Sequence, residues 1–245
     1  METIQIFLNS KTADRYITGY TSNCVFNLPT IIIPRTKKIH LSILNASIPY
    51  SFFNVDYFNN SLVYSVGAGP DIIINIPEGN YNVNTLRTYL LSVMTGFNIS
   101  YTSLNNSFTF THSTNEFTFK ENSTCFEILG LDENVEHTST DRVLISTNSI
   151  NLFTIRNIYI QSGNLMNDNI NNSTPYNSTI LASIPVSSGQ NSIINYYNFN
   201  NVKTRINEGT LRNISNLHIS LTDQDGDILD LNGVHWSMTL LLEYE

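Results

Sequence analysis

Charge is what this chain has least of. Asp, Glu, Lys and Arg make up only 13% of its 245 residues, about half the share usual for soluble domains. Lysine is the rarest of the four, occurring only as Lys11, Lys37, Lys38, Lys120 and Lys203. The net charge is −8. The one basic cluster, Arg35, Lys37 and Lys38, reads as the solvated start of a strand. A phosphate backbone needs clustered cations, so direct nucleic-acid binding is excluded as the main role. Cysteine is scarce too. Cys24 and Cys125 stand far apart and form neither a disulfide framework nor a metal spacing, which makes them buried free thiols of a reducing compartment. No apolar run approaches the length needed to cross a bilayer. The opening METIQIFLNSK lacks the basic region and apolar run of a secretory signal. The expectation is a protein made soluble, without membrane insertion.

Catalytic signatures are missing as well. His40, His112, His137, His218 and His235 show no HxH or HExxH spacing, which counts against a cupin-type metal site. No GxSxG, phosphate-binding glycine loop or paired catalytic cysteine and histidine occurs. Asp223, Asp225, Gly226, Asp227 and Asp230 resemble a calcium loop at first sight. The EF-hand order wants Gly at position 6 and Glu at 12, but Gly226 falls at 4 and Val234 stands at 12. An acidic turn between strands accounts for the same residues. His218 and His235 fall on polar faces of what read as adjacent strands, solvent-facing or at an interface. No catalytic, cofactor-binding or metal residue is assigned, and no cofactor or enzymatic activity is expected.

What the chain does have is asparagine, about one residue in seven, with abundant Ser, Thr, Ile, Tyr and Phe. Either an AT-rich genome or a surface kept neutral and hydrogen-bonding explains this. Such a surface suits packing against other proteins, since charged groups are depleted from interface cores. N-x-S/T triplets, beginning with Asn45, Asn59, Asn98, Asn105 and Asn122, are frequent enough by composition alone to carry no evidence of glycosylation.

Period-2 alternation runs from end to end. Ile4, Ile6 and Leu8 share a face, and 24–28 is a short apolar strand ending at Pro29. In 38–48 the apolar phase shifts from Ile39, Leu41 and Ile43 to Leu44, Ala46 and Ile48, which signals a β-bulge. The stretches 62–66 and 72–76 flank a GAGP turn, and Phe108, Phe110, Phe117 and Phe119 flank HSTNE as a hairpin. Later strands fall at 152–161, 179–186 and 192–197. In the last two, Leu217, Ile219 and Leu221 point inward, then Val234, Trp236, Met238, Leu240, Leu242 and Tyr244. Trp236, the only Trp, reads as a core anchor. Two helices are credible: one capped by Asn84 with apolar face Leu86, Tyr89, Leu90, Val93 and Met94 before Gly96, and a short one with a Thr124/Glu127 capping box stopped at Gly130. Many short antiparallel strands with one or two inserted helices predict an all-β sandwich, jelly roll or immunoglobulin-like. The polar loop 163–178 is long enough to be functional or mobile, and an outward-facing position is expected for it. One domain spanning 1–245 is expected, with 50–142 as a candidate inserted lobe.

The order of several motifs carries a resemblance. DLNG at 230–233 followed by a strand opening on Trp236 is similar to the C-terminal strands of small jelly-roll capsid proteins. PEGNYNVNTLRTYL at 77–90 resembles their Gly-x-Tyr segment before a helix, and ILASIPVSSGQNSIINYYN at 180–198 their strand pair with a central Ile-Pro. ILG at 128–130 is similar to the Leu-Gly step after their short helix. These are the penton (vertex) and minor capsid proteins of virophages, polinton-like viruses and some large double-stranded DNA viruses. The resemblance implies a single antiparallel jelly roll and a homopentamer closing each icosahedral vertex of the virion. Its neighbours would be major capsid proteins, which usually carry two jelly rolls per chain, more than 245 residues hold with their loops. A minor capsid or cement protein of the same fold, or a receptor- or glycan-binding spike head, are the alternatives.

Overall fold

The computed structural model describes residues 2–34, 37–165, 179–206 and 213–245. In chain order the first strands are β1 (Glu2–Asn9), β2 (Arg15–Tyr16), β3 (Asn23–Ile32) and β4 (Ile39–Pro49). Next come β5 (Ser61–Val66), β6 (Ile72–Asn75), α1 (Val83–Val93), β7 (Phe97–Thr102), β8 (Ser107–His112), β9 (Phe117–Phe119), α2 (Phe126–Leu129), β10 (His137–Thr138) and β11 (Val143–Ile145). The last are β12 (Asn157–Ser162), β13 (Ile180–Pro185), β14 (Ile193–Tyr197), β15 (Thr204–Ile206), β16 (Asn213–Thr222) and β17 (Ser237–Tyr244). The chain divides into two compact units, one formed by Met1–Phe52 with Ile155–Glu245 and the other by Phe53–Thr154.

The first unit is an antiparallel jelly roll. One sheet runs β1-β17-β4-β14, with β15 also on β4, and the other runs β13-β12-β16-β3-β2. The first, last, third and sixth principal strands thus face the second, seventh, fourth and fifth, the order of two nested Greek keys. Alternate side chains from both sheets meet in one core, among them Ile6, Leu41, Leu240 and Leu242 from one and Phe26, Ile160, Leu217 and Ile219 from the other. The phase shift in β4 is a bulge. Leu240 faces Ile43 but Thr239 faces Asn45, so Leu44 is the extra residue. Its carbonyl accepts the Asn198 N–H at 3.0 Å, and Ile43, Ala46 and Ile48 all reach the core. Strand β3 does not stop at Pro29. The register against β16 breaks between Ile214 and Asn216, which face Ile31 and Asn27, so Pro29 sits in a bulge that asks no ladder N–H of it.

The second unit packs the sheets β10-β9-β5-β6 and β11-β8-β7 around a phenylalanine-rich core with α1 and α2. The expected hairpin across HSTNE does not form, because β8 and β9 belong to different sheets. The four phenylalanines alternate into a shared core instead, with the rings of Phe110 and Phe119 5.0 Å apart. Glu116 redirects the connection: its carbonyl accepts the Gly67 N–H at 2.7 Å, and its carboxylate takes the Arg142 N–H and the Ser139 hydroxyl. Those hydrogen bonds hold its pKa below the usual value. The cap of α1 is Asn82, two residues earlier than expected. Its Oδ1 accepts from Asn84 and Thr85 N–H at 3.0 Å while the Thr85 hydroxyl accepts from the Asn82 N–H. Thr124 does not cap α2, its hydroxyl accepting the Ser61 N–H instead. The helix does end at Gly130, in the left-handed region at φ 70°.

Candidate assembly surface

The residues singled out for chemistry are tied into structure one by one. Asp223 Oδ1 accepts the backbone N–H groups of Asp225, Gly226 and Asp227 at 2.9–3.0 Å, so the acidic segment is an Asx-type turn. Burial raises the Asp223 pKa against the opposing pull of those hydrogen bonds. Asp230 Oδ1 accepts the Asn232 N–H at 2.7 Å. Trp236 is buried, donating Nε1–H to Thr21 O at 2.8 Å and meeting the Phe26 ring edge-on at 5.8 Å. His218 and His235 are not neighbours. The strands they belong to or precede, β16 and β17, are consecutive in the chain but lie in opposite sheets. His218 Nε2 bonds Asn23 Oδ1 at 2.7 Å, and burial, with the nearby Arg15 charge, lowers its pKa. His235 Nδ1 pairs with the Ser10 hydroxyl at 3.2 Å. Both cysteines are buried free thiols; burial pushes Cys24 up to about 12 and raises Cys125 as well. Of the loop 163–178, residues beyond 165 lie outside the described residues, as does Arg35 of the basic trio. Its start is anchored: Asn164 bonds Asn216, and Leu165 is in the core.

What remains is surface, and one face is distinctive. The outer side of the β1-β17-β4-β14 sheet can be read row by row from the register. Phe7, Thr239, Asn45 and Tyr197 form one row, and Asn9, Ser237, Ser47 and Asn195 the next. Small residues in the second row leave depressions of about 400 and 240 Å³, bordered by Ile193, Pro49 and Val234 on one side and Phe7 on the other. Neither row contains a charge. Phe7 is 74% exposed, Tyr197 56% and Phe199 87%. Charges gather in another row, Thr3, Glu243, His40 and Arg205. There the buried Glu243 carboxylate lies 2.7 Å from Lys203 Nζ, which pins the β14–β15 connection. Asn198 braces the same connection, its side chain bonding both Val202 N–H and Val202 O. In the second unit Tyr57 and Phe58 are exposed on a loop held by Asp56 and Asn59.

Sequence reasoning foresaw a neutral surface but not these residues. Period-2 alternation marks Phe7 as facing away from Ile6 and Leu8, and an aromatic on a polar phase was the signal available.

Among the described residues no helix is long and apolar enough to cross a membrane. Searches against known protein families and curated proteins find no match. Among solved structures the fold is similar to that of the penton protein of mavirus, seen in a crystal structure of its selenomethionine form. The likeness covers 100% of both chains at a TM-score of 0.50 and 14% identity.

Proposed function

We propose that the chain is a structural capsid protein of an icosahedral double-stranded DNA virus, forming the homopentameric vertex and contacting the major capsid protein around it. The observation that carries this reading is the end-to-end likeness in fold to a penton protein, both chains being covered completely. The surface chemistry supports it. A chain of net charge −8 repels its own copies, so copies associate through faces from which charge is absent, and the two outer rows from Phe7 to Tyr197 and from Asn9 to Asn195 are such a face. A ring of five is closed by one heterologous contact repeated, which requires two different complementary patches on each copy. Its work is then assembly in the virion rather than catalysis.

Co-expression with the major capsid protein of the same virus, followed by electron cryomicroscopy of the shells, tests the reading. Density for this chain at the fivefold vertices is the expected result. Density between capsomers would assign a minor capsid or cement role instead. A second reading, a glycan-binding spike head, is favoured by the braced Tyr57–Phe58 pair, since exposed aromatic rings stack on sugar faces. Glycan-array binding that Tyr57→Ala abolishes, with no incorporation into shells, would replace the first reading by the second.

A further inference from the structure

A sheet edge is a row of unpaired N–H and C=O groups, and proteins blunt such edges with shortness, Pro, Lys, bulges or covering elements. Among the described residues the edges of this chain follow that rule, with one exception. Strand β2 has two residues, β10 two, β11 three, β15 three, β6 four and β14 five. Strand β13 ends on Pro185 and pairs through a bulge. Strand β7 has a side chain laid on its edge, Arg87 Nε donating to Ile99 O at 2.5 Å. Strand β1 has none of these. It runs eight residues in unbroken register with β17, and its sequence ETIQIFLN contains no Lys, Pro or Gly. Its only charge, Glu2, accepts the Tyr244 hydroxyl at 2.7 Å.

We infer that the β1 edge of one copy pairs with the β14 edge of the next, so that the jelly-roll sheets of neighbouring subunits join into one continuous antiparallel sheet. This rests on the pentameric reading above and names its contact. Three observations select a second copy of this chain as the occupant, and β14 as its docking strand. Strand direction fits: β1 is antiparallel to β17, β17 to β4 and β4 to β14, so β14 runs opposite to β1. A copy repeated around an axis along the strands therefore presents β1 to β14 in antiparallel sense. Side chains fit too. Phe7 and Tyr197 end the same row of the same outer face, so joining the two edges places the exposed aromatics side by side as a cross-strand pair. Charge permits it, since β14 (IINYY) carries none. The two patches differ and lie at opposite edges of one sheet, as a closed head-to-tail ring requires.

Native mass spectrometry of the full chain tests the contact with Phe7→Lys, Tyr197→Glu and the two combined. Each single variant is expected to lose the pentamer and run as monomer with unchanged circular dichroism. An equimolar mixture of the two should form mixed oligomers, since every junction between unlike copies joins either the two retained aromatics or the two opposite charges, and the combined variant should regain rings through its opposite charges. Gln5→Lys, on the same exposed side of β1, should reproduce the loss should Phe7→Lys misfold. Wild-type pentamers that persist in folded single variants overturn this contact and leave the vertex reading standing. Dimers dissolved by Phe7→Lys but untouched by Tyr197→Glu overturn it in favour of β1 pairing with its own copy. A wild-type chain that stays monomeric alone and with its shell protein overturns both.

Discussion

Replacing Gly163 by alanine should unsettle the jelly roll through a single side chain, His218. A Cβ on Gly163 would overlap His218 Nδ1 and stand 2.9 Å from Cε1 and 3.1 Å from Cγ, atoms close to the ring's attachment rather than at a flexible tip. The ring has no free retreat. Its far nitrogen bonds Asn23 Oδ1 at 2.7 Å, and Gly163 N–H donates to the His218 carbonyl at 3.1 Å, fixing the two backbones together. Overpacking costs about 1–3 kcal/mol, and leaving the buried Asn23 oxygen without its donor adds about 1–3 kcal/mol. The expected destabilisation is about 2–6 kcal/mol, enough to move a urea midpoint visibly. In a His218→Ala background the clash is gone, and the same glycine substitution should cost less than about 1 kcal/mol. Trp236, the only Trp, reports this unit alone, so urea titrations followed by its fluorescence give all four corners of the cycle. Equal costs of Gly163→Ala in both backgrounds would refute the reasoning.

Further expectations concern the core and its titration. Trp236→Phe removes the donor to Thr21 O and opens space against Phe26, a loss of about 2–4 kcal/mol read from the urea midpoint by circular dichroism. The thiols of Cys24 and Cys125 should stay unlabelled by an alkylating reagent in the native protein and react fully in denaturant, because burial both shields them and raises their pKa. His218 titrates below its ordinary value of 6.5 when folded, so the unfolded chain binds the proton first. The stability this group contributes is complete above pH 6.5 and declines as pH falls from there toward its lowered folded value. Thermal melts of wild type against His218→Asn should show the variant less sensitive to pH across that window.

Elements whose periodicity reports a local event were legible. The phase shift between Ile43 and Leu44 marked the β4 bulge because a one-residue insertion must invert the pattern downstream. The paired strands around GAGP, the buried Trp236 and the stop at Gly130 were visible for the same reason. Pairing between strands is not a local property, and there the reading failed. The alternation of Phe108, Phe110, Phe117 and Phe119 says that the rings face a core but not that β8 and β9 join different sheets. Nor could it separate the strands of His218 and His235. The helix cap went to Asn84 rather than Asn82 because both are Asn, and only the Thr85 reciprocal bond distinguishes them. Pro29 looked like a strand end because the bulge that accommodates it, three β3 residues opposite the single Ser215 of β16, shows only in the pairing of the two strands. The assembly surface was hidden for a related reason. Polar-phase residues such as Phe7 and Tyr197 become meaningful only once the register aligns them in one row.

The proposed vertex role requires five copies of this chain to close into a ring. Native mass spectrometry of the intact protein, alone and with the shell protein of its virus, measures that directly. A species of five times the 27.7 kDa chain is expected in at least one of the two conditions. A monomer or trimer in both would contradict it.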